Sequence, residues 1–128
     1  MRIEFAWVAE DHCTWLYIRF HQGWTWEEFY NIHLDIQPYL LDQERAVDVI
    51  VDARGAHTVP PGFLSRLPGI ISMLPPNIGR IVVVAASPVM RGLFTVFAGV
   101  YPTLAEHFSF VDSLEEARAL LSGSGARR

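Results

Sequence analysis

Asp52, Arg54, His57 and Thr58 lie in one short stretch and bring together a carboxylate, a guanidinium, an imidazole and a hydroxyl. An acid/base pair or an anion pocket can be assembled from such groups. Their position strengthens the idea. They follow Val47 to Val51, a run apolar on both faces that reads as a strand of a covered parallel sheet, and α/β domains commonly place their sites at the C-terminal ends of such strands. The same residues also have a plainer use, in which Asp52 caps loop amides, Arg54 pairs with an acidic neighbour and His57 faces water. Ser87 and Arg91 form a second candidate set: free amides at a helix start and a guanidinium could hold an anion, although N-capping alone accounts for Ser87.

Other chemistry finds little support. The five histidines (His12, His21, His33, His57 and His107) are dispersed without metal-ligand spacing, so no metal or cofactor is expected. His33 falls beside the apolar face of a helix and reads as an interior or boundary residue. Cys13 is the single cysteine, which rules out an intramolecular disulfide, and it lacks an adjacent base that would activate it. All ten basic residues are arginines, so Schiff-base and P-loop lysines are excluded. Neither Gly-x-Ser-x-Gly nor Gly-x-Gly-x-x-Gly occurs. The sequence points to a protein that binds, not an enzyme.

Composition sets the class. The 128 residues, 51% hydrophobic and 19% charged, suit one globular domain, expected over residues 1–121 with a Gly/Ser/Arg tail from Ser122 to Arg128. A net charge of −4 with scattered arginines argues against nucleic-acid binding. No apolar run approaches the ~20 residues of a membrane span, and the N-terminus lacks a signal-type apolar core, so a cytoplasmic location is the default expectation.

Periodicity supplies the elements. Ile3, Phe5 and Trp7 alternate with polar or small residues, and Thr14 to Phe20 is rich in β-branched and aromatic side chains; across Glu10-Asp11-His12 they predict a hairpin. Thr25, with Glu28 three residues on, predicts a capped helix carrying Trp26, Phe29, Ile32, Ile36 and Leu40 on one face, bent or ended near Pro38. The third strand, Val47 to Val51, closes on Asp52. A second helix follows through Phe63, Leu67, Ile70 and Leu74, kinked or broken at Pro68. Arg80 to Ala86 is a fourth strand, Ser87-Pro88 opens a third helix to about Val100, Phe108 to Val111 is a fifth strand, and Ser113 caps a last helix over Leu114 to Leu121. The order ββαβαβαβα with right-handed crossovers predicts an α/β fold, a mixed five-stranded sheet covered by four helices.

The third helix carries more apolar residues than one covered face requires. Phe94, Phe97 and Tyr101 recur at helical spacing and could line a self-association surface, an apolar pocket beneath the helix, or simply additional core. Trp7, Trp15, Trp24 and Trp26 read first as core and second as aromatic walls of a cleft.

This element order, with Asp52 at the end of the third strand, resembles the SpoIIAA-like or STAS-like fold of anti-sigma-factor antagonists and domains attached to sulfate transporters. The resemblance implies a regulatory module that works by protein–protein interaction, as a homodimer in one form, with its contact surface in the loop Asp52 to Gly62 and the starts of the second and third helices. The sequence departs from the antagonist pattern at the phosphoacceptor: Pro60-Pro61-Gly62-Phe63 stands there, and Thr58 is the nearest hydroxyl upstream. The wider SpoIIAA-like group, associated with lipid or small-molecule binding in the manner of Sec14-type folds, implies the alternative of a small apolar ligand or lipid binding protein.

Overall fold

The computed structural model describes residues 2–10, 13–43, 45–73 and 77–126. Two strands come first, β1 (Ile3–Glu10) and β2 (Cys13–His21), paired antiparallel from Ile3↔Phe20 to Glu10↔Cys13. The turn expected at Asp11-His12 lies outside the described residues, as does the side chain of Cys13. Thereafter strands and helices alternate: α1 (Trp26–Leu41), β3 (Val47–Gly55), α2 (Phe63–Met73), β4 (Ile78–Val84), α3 (Pro88–Val100), α4 (Pro102–Ala105), β5 (Phe108–Val111) and α5 (Leu114–Ala126). The sheet is mixed and five-stranded in the order β1-β2-β3-β4-β5, with every pair after the hairpin parallel.

This order decides where the helices lie. Each crossover from β2 to β5 steps one strand in the same direction, so right-handed connections put α1, α2 and α3 on one face. Ile3, Leu16, Val49, Ile81 and Val83 face these helices. Beyond β5 the chain turns back, and α5 packs on the opposite face, where Ala117 and Leu121 meet Trp15, Ile50, Val82 and Val84. Because the strand order never reverses, the sheet has no topological switch point to open a crevice at its C-terminal edge.

Several boundaries differ from the sequence expectation. β3 does not close at Asp52 but continues to Gly55, still paired with β2 through Arg19↔Asp52 and His21↔Gly55. The carboxylate is neutralised inside the sheet, so the strand has no reason to stop. β4 ends at Val84, not Ala86, because Ala85 takes a left-handed backbone with φ 56°. α1 continues past Pro38, and Pro38 still accepts a hydrogen bond from the Asp42 amide. α2 continues through Pro68; proline removes one helix donor, and the turns on either side keep theirs. A fifth helix, the single turn α4, starts at Pro102, whose fixed φ suits a first helical position. The tail expected from Ser122 is helical through Ala126.

The helix starts match their expected caps. Thr25 Oγ1 accepts from the Glu28 amide at 3.2 Å, and Ser87 Oγ accepts from the Met90 amide at 3.3 Å. The Glu28 carboxylate also accepts the Arg2 amide at 2.8 Å, tying α1 to the start of β1.

Candidate functional site

The sheet has two chemically distinct faces. On the α5 side, Asp52 is fully buried, and its carboxylate accepts Arg54 Nε at 2.9 Å, Arg54 Nη2 at 2.7 Å and the Arg54 amide at 3.1 Å. The Tyr17 hydroxyl donates a further short hydrogen bond to the same carboxylate. Burial works against the charge on Asp52, but these donors outweigh it and hold the carboxyl at about 2, below its usual 3.8. Burial and the bond to Asp52 push the Tyr17 hydroxyl upward. Every acceptor of Asp52 is occupied, so the group locks β2 to β3 and is not available as a base.

The sequence-predicted loop set is therefore divided. Asp52 and Arg54 sit on the strand, on the α5 face. His57 and Thr58 are exposed in the following loop, where Gln22 spans both: its Oε1 accepts the His57 amide at 2.9 Å and its Nε2 donates to Thr58 Oγ1 at 2.8 Å. The second candidate set is also committed. Ser87 caps α3, while Arg91 donates to the Ala86 carbonyl at 3.3 Å, lies 3.6 Å from Asp112 and stands over the Phe110 ring at 5.3 Å. Ser87 thus closes the start of α3, and Arg91 fastens that helix to β5.

On the opposite face a cavity of about 290 Å³ lies between the sheet and helices α1 to α4. Its floor consists of the alternate residues of all five strands, among them Ile18, Val51, Val83 and Phe108. Its roof is built from Ile32 and Ile36 of α1, Phe63 and Ile70 of α2, Met90, Leu93, Phe94 and Phe97 of α3, and Leu104 of α4. Two aromatic groups prop the layers apart. At the β2 side, Trp24 meets Phe20 at 4.9 Å and Trp26 at 5.1 Å, with Phe29 and Phe63 beyond. At the β5 side, Phe94 meets Phe110 at 4.6 Å and Phe108 at 5.3 Å, and Phe97 meets Phe108 at 5.4 Å. Between these two groups, β3 and β4 contribute the aliphatic side chains Val49, Val51, Ile78, Ile81 and Val83 to the floor.

Of the three aromatic residues singled out on α3, Phe94 and Phe97 line this cavity, and Tyr101 packs behind Phe97 at 5.6 Å without lining it. Trp24 and Trp26 serve as both core and wall, each 7% exposed, and Trp26 Nε1 donates to the Pro61 carbonyl at 2.8 Å. His33 is the one titratable side chain of the wall among the described residues. Burial lowers its pKa below the ordinary 6.5, opposed by a hydrogen bond to the Met73 backbone. Its Nε2 is shut off from solvent and has no hydrogen-bond partner among the described residues.

No family model and no curated protein matches this chain. The geometry of the cavity therefore carries the functional argument. Sequence reasoning offered an apolar pocket beneath α3 as one of three readings and cleft walls as the second reading of the tryptophans, of which Trp7 and Trp15 do not line the cavity; it missed the extent, because residues alternating on five strands read the same whether a helix layer rests on them or stands off. Among the described residues no three His, Cys, Asp or Glu side chains gather as a metal site, and no helix is long and apolar enough to cross a membrane.

Proposed function

We propose that this protein binds a small apolar molecule between its sheet and its helix layer. The cavity of about 290 Å³ carries the reading: it has the apolar walls and size of small-molecule sites, and a core packed to ordinary density would have closed the space. The aromatic props supply flat surfaces against which a ring or an acyl chain can lie. Titration with naphthalene tests the reading, because Trp24 and Trp26 in the wall report occupancy through their fluorescence. Saturable one-to-one quenching is expected, and it is lost in Leu93→Trp, which places an indole where the guest would lie. Quenching that never saturates, or that persists unchanged in Leu93→Trp, refutes it.

A second reading, a STAS-like regulatory module acting through protein contacts, draws on the outer side of α3, where Val89, Val96 and Val100 are 57%, 50% and 64% exposed. It predicts that Val96→Glu abolishes any self-association seen by sedimentation or loosens a protein partner. Unchanged sedimentation and partner binding would remove it.

A further inference from the structure

Two arginines stand against aromatic residues of the cavity wall, Arg91 over Phe110 and Arg66 over Trp26, each at 5.3 Å. They differ in charge balance. Arg91 has Asp112 at 3.6 Å, whereas no carboxylate of the described residues lies within ion-pair distance of Arg66. Arg66 belongs to α2 and reaches across to α1, where it also stands 5.8 Å from the Tyr30 ring and donates from Nη1 to the Tyr30 hydroxyl at 3.2 Å. The guanidinium is thus held in the seam between the two helices, with most of its donors still free. The seam adjoins the cavity. Trp26 on its α1 side and Phe63, one turn before Arg66 on α2, both line the wall. Here the lining is partly open to solvent: Phe63, Val59 in the loop before α2 and, on the floor, Ile18 and Val51, register partners in two interior strands, are only half-buried.

We propose that the guest is an amphiphile with one carboxylate, its apolar body in the cavity and its head group paired with Arg66 in the seam between α1 and α2. The assignment rests on the small-molecule reading of the cavity and adds the polar end that the walls lack. Stacking on Trp26 and the bond to Tyr30 orient the guanidinium before the guest arrives, so little side-chain freedom is lost on pairing. A carboxylate accepts two parallel N–H bonds from such a fork. One arginine balances a single negative charge in a protein of net charge −4, which favours a carboxylate over a more highly charged phosphate. An uncharged head gains nothing from the cation.

The test compares decanoate, decanol and decyl phosphate, which share one tail, by calorimetry at pH 8 on the wild-type protein. Decanoate is expected to bind roughly tenfold more tightly than the alcohol, the ratio a charge-assisted pair at a half-open site supplies, and added salt erodes that margin. In Arg66→Met, which keeps the stem and removes the charge, decanoate falls to the level of the alcohol. Arg66→Lys keeps the charge without the planar fork and retains part of the preference. The wild-type comparison stands even where a variant folds poorly. Equal binding of decanoate and decanol overturns the carboxylate assignment and leaves the apolar cavity standing, as does a preference for decanoate that survives in folded Arg66→Met. Tightest binding by decyl phosphate overturns it in favour of a phosphate head. Binding of none of the three to folded protein overturns the assignment together with the reading beneath it.

Discussion

Replacing Asp52 with asparagine removes a charge and leaves the shape, which makes it the sharpest probe of how β2 and β3 are held together. The carboxylate is fully buried and bound by Tyr17 and by the Nε–Nη2 edge of the Arg54 guanidinium. Its folded pKa of about 2 lies below the 3.8 of the free group. A group whose pKa is depressed by folding contributes stability above its unfolded pKa and loses it as pH falls through the folded value. A drop of that size corresponds to about 2 kcal/mol at neutral pH, of which roughly two-thirds is gone by pH 2.5. Asp52→Asn gives up that term and also leaves Arg54 without its counter-charge, so the total loss at pH 7 is expected near ~3 kcal/mol. Urea unfolding of both proteins at a series of pH values between 7 and 2.5 reads it out. The gap between the two stabilities narrows by more than ~1 kcal/mol over that range, with most of the change below pH 4. A gap that is the same at pH 7 and pH 2.5 would show that the ionised carboxylate is not what stabilises the pair, and the argument would fail.

Three further substitutions probe other parts of the structure. Val83→Phe extends a side chain from the middle of the cavity floor, and its thermal stability is expected to hold or rise; a loss of the ~1–3 kcal/mol typical of overpacking would mean the layer is already filled. Gly79→Ala puts a Cβ 2.5 Å from Asp48 Oδ1, which accepts the Arg80 amide at 2.8 Å, so a loss of ~1–2 kcal/mol in chemical denaturation is expected, and neutrality would show that Asp48 moves freely. Trp26→Phe keeps an aromatic wall but gives up the bond to the Pro61 carbonyl, at a cost of about 1 kcal/mol; hydrogen exchange at the start of α2 should rise with it, and unchanged exchange would separate that loop from α1.

Much of the architecture was legible because local signals agreed with the global pattern. Thr25 and Ser87 opened their helices as cap chemistry dictates, and the alternation of the first two strands predicted the hairpin that the structure pairs from Ile3↔Phe20 onward. The errors share one cause, local rules overridden by tertiary partners. An aspartate ordinarily ends a buried strand, but Tyr17 and Arg54 neutralise Asp52, and β3 runs on to Gly55. Proline ordinarily breaks a helix, yet α2 spans Pro68. The loop site dissolved for the same reason: neighbours in sequence, Arg54 and His57 separate because one belongs to the sheet and the other to the turn after it. His33 could be read as an interior or boundary residue from its place beside the apolar face of α1, whereas the wall it joins is completed by elements far along the chain, and no local pattern reveals it.

The two sides of this sheet follow opposite packing strategies, and that contrast supports the case for a binding cavity. On the α5 side a small residue, Ala117, lets the helix backbone approach β3, β4 and β5, and the buried charge beneath is fully hydrogen-bonded. Nothing there restricts close packing, and the layer closes. On the other side large aromatic side chains gather in two groups, Trp24, Trp26 and Phe29 around Phe20 of β2, and Phe94 and Phe97 against β5. The central strands between them carry valine and isoleucine. A sequence selected only for stability would exchange these sizes, because alternating large and small residues across a layer is what fills it. Large at the rim and small at the centre is instead the arrangement that keeps a chamber open while preserving a continuous apolar surface.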